Sequence, residues 1–130
     1  MHVSIRVSYL HAERLSDIQA SQVGVQAQLS VPAGKPVRER GVVRMPFAFN
    51  LTTQPPLFTV TIKGLLLVKG GEEELNNVER SIKGGKPMPS VVQPLTSHTL
   101  FLAMLLAREL GFPPALPLKP QQPPQAGAPL

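Results

Sequence analysis

Hydrophobic residues change their period once along this chain, at Gly70-Gly71, and that switch limits the possible folds more than any other feature. Before it, apolar residues recur at every second position, the pattern of strands with one face in a core. Val3, Ile5, Val7 and Tyr9 form a first row within His2 to Leu10. Gln22 to Val31 alternates almost without error, with Val23, Val25, Ala27, Leu29 and Val31 inward and Gly24, Gln26, Gln28 and Ser30 outward. Val43, Met45, Phe47, Phe49 and Leu51 make a third row. Pro46 interrupts it and, having no N–H for a ladder, demands an edge position or a bulge. In Phe58 to Val68, the fourth row sets Phe58, Val60, Ile62, Leu66 and Val68 on one face with Gly64 among them. Leu65 and Leu67 make the other face apolar too, so that end of the strand is expected to be covered on both sides. Pro32-Ala33-Gly34-Lys35-Pro36 and Thr53-Gln54-Pro55-Pro56 are turn chemistry between rows.

After the glycine pair, Leu75, Val78 and Ile82 stand at helical spacing within Glu72 to Ile82. Three glutamates open that segment, where acids suit the helix dipole. Ser90 to Leu110 predicts a long helix, stopped by Gly111 and Pro113. Pro94 falls near its first turn, where a missing N–H does no harm. Its Leu100, Phe101, Leu102, Met104, Leu105 and Leu106 spread around most of the circumference. A helix apolar all round is buried all round, so a homo-oligomer, a dimer or tetramer, is expected. Seven of the nineteen residues from Phe112 to Leu130 are proline, which reads as extended or disordered chain. Four antiparallel strands followed by helices that cover one face make an α+β fold. At 130 residues the chain is expected to form one domain, 1–118, with 119–130 as a proline-rich tail.

Composition removes several classes of chemistry. There is no cysteine, which excludes disulfides, thiol catalysis and cysteine-ligated zinc, and only three histidines, His2, His11 and His98. Ser97 and His98 are neighbours on a helix and cannot face each other. Glu72, Glu73 and Glu74 are consecutive and cannot converge on a metal from one helix face. Lys83-Gly84-Gly85-Lys86 is followed by Pro87, not by the hydroxyl residue of a phosphate-binding loop. No enzyme, metal or cofactor is expected. The amino end alternates and carries no signal-peptide pattern. The longest apolar run, Leu100 to Ala107, has eight residues, short of the roughly 20 that span a bilayer. A cytoplasmic protein without membrane insertion is the expectation.

The net charge is +5, and it belongs to the first half. Up to Gly70 there are eight Lys and Arg against three acids; from Gly71 onward, five against five. Lys35, Arg38, Arg40 and Arg44 concentrate the excess in one patch, a candidate for nucleic acid or an acidic partner. An aromatic content of 5% argues against nucleic acid, because base-stacking platforms need aromatic rings. A solvated loop explains the patch more simply. Phe47, Phe49, Leu57, Phe58, Leu65 and Leu67 together exceed what one helix covers, which predicts either an oligomer interface or a binding groove.

Three pieces stand in a definite order along the second half. The first is the strand Phe58-Thr59-Val60-Thr61-Ile62-Lys63-Gly64-Leu65-Leu66-Leu67-Val68. The second is the proline-led segment Pro89 to Leu110, closing on Arg108 and Glu109. The third is Gly111-Phe112-Pro113-Pro114-Ala115-Leu116-Pro117-Leu118-Lys119-Pro120, similar to a Gly-x-Phe-Pro-x-Leu-x-Leu-x-Pro loop. In this order, Phe58 to Pro120 resembles the SecB family of cytosolic export chaperones. The first 57 residues match only as strands.

The resemblance implies a four-stranded antiparallel sheet in Greek-key order, with a long helix on one face and side-by-side assembly into oligomers. It further implies an ATP-independent holdase that captures unfolded or nascent polypeptides in an apolar groove. On matching positions Phe112, Leu116 and Leu118 would line that groove, joined by Phe47, Phe49, Leu57, Leu65 and Leu67. SecB proteins dock the motor SecA with acidic surface, whereas this chain is basic. Their second helix after the loop is replaced here by Gln121-Gln122-Pro123-Pro124-Gln125. These departures point to a general chaperone of this fold rather than an export factor with SecA as partner. A scaffold subunit of a fixed complex and a basic nucleic-acid-binding module are the alternatives.

Overall fold

A computed structural model describes residues 1–17, 23–112 and 118–120. Five strands pair antiparallel: β1 (His2–Arg14), β2 (Val23–Ser30), β3 (Val37–Glu39), β4 (Val42–Gln54) and β5 (Phe58–Lys69). Their order is β1-β5-β4-β2, with β3 beside β4, and a short β6 (Leu118–Pro120) runs parallel to β2. Helices α1 (Glu72–Lys83) and α2 (Pro89–Glu109) follow the sheet in sequence. The fold is α+β with an antiparallel sheet, as the change of period predicts. The sheet has more strands than the four rows indicate, because β3 and β6 are three residues each, too short to register a period.

The alternating rows are the core. Val43, Met45, Phe47, Phe49 and Leu51 of β4 are buried beside Phe58, Val60, Ile62, Leu66 and Val68 of β5. Leu75 and Val78 of α1 and Val91, Val92, Leu95, Ala103 and Ala107 of α2 complete the same cluster. α2 packs on β5 and β1, and α1 on β4. Leu65 and Leu67 lie on the opposite sheet face and are half-buried.

Pro46 sits inside β4 without a bulge, opposite Leu65. On its other side the β2 pairing stops at Ala48 and the β3 pairing at Arg44. Pro46 therefore occupies a gap, a local edge where its missing N–H leaves no ladder bond unmade. Its carbonyl accepts the Ala33 N–H there at 2.7 Å. In β1 the expected row fails at Tyr9. Val3, Ile5 and Val7 face the core, but a bulge between Val7 and Tyr9 reverses the faces. Tyr9 then pairs with Lys63 and Leu10 with Ile62, so Leu10 takes the inward side and Tyr9 the outward one.

α1 begins at Gly71, whose N–H donates to Glu74 Oε1 at 3.1 Å, half of a capping box. α2 starts at Pro89, and Pro94 stands in its second turn. Ser90, whose carbonyl loses its partner there, is exposed to water. At the other end Gly111 takes φ +92°, the Gly111 N–H donates to Arg108 O and the Phe112 N–H to Ala107 O, each at 3.0 Å. This is a Schellman stop, and it turns the Phe112 ring under the helix end.

Candidate functional site

The residues expected to line a groove do not come together. Phe47 and Phe49 pair with Gly64 and Ile62, which places them on the core face of the sheet, at 2% and 0% exposure. Leu57 is buried at 3% exposure. Leu65 and Leu67 alternate with Gly64 and Leu66 and so point to the other face. Phe112 is buried at 7% exposure, its ring centroid 4.7 Å from that of Phe58. The Arg14 guanidinium covers the ring at 4.6 Å and donates to Leu110 O at 2.6 Å. Phe112 is thus a core plug rather than a groove wall in this chain. Leu116 lies outside the described residues, as does the side chain of Leu118, whose backbone begins β6.

Nor does the basic patch remain a patch. Arg38 pairs across from Val43, so it faces inward toward α1. Its guanidinium donates to Asn76 Oδ1 at 3.1 Å and to Glu72 Oε1 at 3.2 Å, and it forms a short ion pair with Glu79. Arg44 is paired with Glu39 at 3.3 Å. Lys35 and Arg40 keep their charges free of ion pairs among the described residues. Lys35 and Arg38 share a cleft of about 320 Å³ with Glu79 and Lys83, a lining of mixed sign. Arg38 thus fastens β3 to α1 and Arg44 ties β4 to β3, while Lys35 and Arg40 carry the remaining excess charge.

The Glu74 carboxyl is held below its ordinary range, first by the Gly71 N–H and then by the Met1 ammonium 3.2 Å away. Among the described residues no three His, Asp or Glu side chains gather as metal ligands do.

The surface that stands out is on α2, whose apolar residues spread round the helix in the sequence and there predict a covering partner chain. α2 carries no Asp, Glu, Lys or Arg from Pro89 through Ala107. It turns small residues inward, Thr99, Ala103 and Ala107, one turn apart and all buried. Thr99 satisfies its hydroxyl within the helix by donating to Leu95 O at 2.9 Å. Val91, Val92 and Leu95 are buried too, and Leu102, Met104 and Leu106 are half-buried against the core, but three large residues are left outside. Phe101 is 62% exposed and Leu105, one turn on and on the same outward face, 41%; Leu100, on the flank, is 37% exposed. By length and composition alone this helix could also cross a membrane, although a third of that stretch is buried inside the fold. The spacing of small residues at Thr99, Ala103 and Ala107 was the available signal, because only small side chains allow a helix to lie close on a sheet.

The chain matches no family model, no curated protein and no solved structure.

Proposed function

We propose that this protein is an ATP-independent, SecB-like holdase of the cytoplasm that captures unfolded or nascent polypeptides on the outward face of α2. The observation that carries the reading is the uncharged stripe of Leu100, Phe101 and Leu105. An exposed apolar patch on a folded chain marks an interaction surface. Unfolded clients offer apolar side chains in no fixed order, and a smooth, uncharged helix face accepts them in any register. The strand order supports the family resemblance. With β3 and β6 set aside, β2, β4 and β5 are consecutive neighbours and β1 lies beside β5, neighbours compatible with a Greek key.

Burying a Leu or Phe side chain is worth roughly 1.5–3 kcal/mol, and about 1.4 kcal/mol is a factor of ten in affinity. Replacing Phe101 and Leu105 together with Ser should therefore weaken binding of a labelled, chemically unfolded client at least about tenfold. The fold should survive, since both side chains are outside the core. Equal client affinity in the folded variant and the wild type would overturn the reading.

A second reading takes the same stripe as the seat of a second copy, making the protein an oligomeric scaffold. The absence of charge along α2 favours it, because the centres of stable interfaces are depleted of charge. A dimer whose dissociation depends on Phe101, together with unchanged client binding in the variant, would select it.

A further inference from the structure

The two long edges of the sheet are built differently. The outer edge of β1 carries a bulge between Val7 and Tyr9 and the charged residues Arg6, Glu13 and Arg14. Bulges and charges are the usual defences of an edge against pairing with another strand. β2 has neither. Its sequence, Val23 to Ser30, contains no charge and no proline, and its register on β4 is unbroken from Gly24 to Ser30. Ala27 and Leu29 pair with Leu51 and Phe49 on the core side, while Gln26, Gln28 and Ser30 are exposed on the other. The outer edge of β2 already holds an extended segment. Leu118, Lys119 and Pro120 lie parallel to Val23, Gly24 and Val25. That occupant is short, and Pro120 has no N–H to give. From Gln26 to Ser30 no strand covers the outer edge among the described residues.

We infer that the outer edge of β2 is a strand-accepting site for an extended polypeptide running parallel to it, and that Leu118–Pro120 is its built-in competitor. The occupant is read through its backbone, so it needs free N–H groups at alternate positions and an uncharged, alternating sequence to match β2. Strand addition of this kind draws affinity from main-chain hydrogen bonds and tolerates many side chains. The inference rests on the holdase reading only for the nature of the natural occupant, an unfolded chain. It adds a second contact, separate from the α2 stripe. Because β6 is tethered, it competes at a high effective concentration although each of its own contacts is weak.

The test uses the full chain and a fluorescent peptide of alternating Val and Gln, the length of β2. Its partner is the same peptide with alternate backbone nitrogens methylated. In the variant carrying Leu118→Pro and Lys119→Pro, no residue from Pro117 to Pro120 has an N–H, so β6 cannot donate to β2. The variant should bind the unmethylated peptide about fivefold or more tightly than wild type does, and neither protein should bind the methylated one. Hydrogen exchange should be faster in the variant at the one of Gly24 and Val25 whose N–H turns to the outer edge rather than to β4, and slowed at alternate residues through Ser30 when peptide is added. Equal peptide affinity in the two proteins, or equal binding of the methylated peptide, would overturn the inference. The Phe101→Ser, Leu105→Ser protein separates this from the parent reading. If it loses unfolded-client capture while the proline variant shows no gain, the holdase stands and the edge site falls. If it captures clients normally while the proline variant gains peptide, the edge site stands and the α2 reading falls.

Discussion

Replacing Phe112 with alanine distinguishes a ring that holds the fold together from one that waits for a client. The ring is 7% exposed, tilted 39° against Phe58 at 4.7 Å, and covered by Arg14 at 4.6 Å. Truncating a buried Phe removes its transfer free energy and leaves a cavity, a cost of about 3–5 kcal/mol. The pair with Phe58 accounts for about 1 kcal/mol of it. The Schellman bonds at Gly111 and Phe112 are made by the backbone and remain, so the loss is local to the ring. Domains of this kind are stable by about 5–15 kcal/mol, so the variant folds but sits near its margin. With a urea slope of about 2 kcal/mol per molar, the unfolding midpoint should fall by about 2 M. Circular dichroism in a urea titration measures it. A shift below about 0.5 M, under 1 kcal/mol on the same slope, would refute the packing argument and return Phe112 to the solvent side, where the family resemblance puts it.

Gly64→Ala should destabilise by about 1–3 kcal/mol or more, because a Cβ there would overlap Arg6 O and come 2.9 Å from Phe47 Cε2; a thermal melt unchanged from wild type would contradict the close approach of β1 and β5 at this point. Arg38→Ala should cost about 1–2 kcal/mol by freeing β3 from Glu72, Asn76 and Glu79. The loss should shrink in high salt, which screens such pairs, and equal losses in low and high salt would speak against the ion pairs. The Glu74 carboxyl is lowered mainly by the Gly71 N–H and then by the Met1 ammonium. Its contribution is therefore complete above the ordinary carboxylate range and fades as pH falls through its lowered value. Wild type should melt above Glu74→Gln near neutral pH and the two should converge in acid; a gap that persists in acid would contradict the cap.

Much of this architecture was legible in residue order. The rows Val23 to Val31, Val43 to Leu51 and Phe58 to Val68 became β2, β4 and β5, because alternation records which face meets the core and no bulge breaks the pairing of β4 with β2 or β5. Pro46 also read correctly as a residue needing an edge. The Tyr9 error arose because a bulge belongs to the pairing of two strands, and the Val3, Ile5, Val7, Tyr9 row contains no trace of it. Leu65 and Leu67 were grouped with Phe47 and Phe49 by hydrophobicity, although register sets them on opposite faces. Composition showed Lys35, Arg38, Arg40 and Arg44 as a patch. It could not show that Arg38 turns toward three polar groups of α1, since that depends on a three-residue strand. Phe101 and Leu105 read in the sequence as part of a helix apolar all round that a partner chain should cover; which of its residues turn outward depends on a docking side that the pattern does not record.

On the holdase proposal, the outward face of α2 captures unfolded chains. The most direct measurement is light scattering of an aggregation-prone client diluted out of denaturant, without ATP, in the presence of this protein or of its Phe101→Ser, Leu105→Ser variant. Wild type should suppress scattering near equal stoichiometry, and the folded variant should leave it close to the level of client alone. Suppression by the variant equal to that by wild type, or none by either protein, would contradict it.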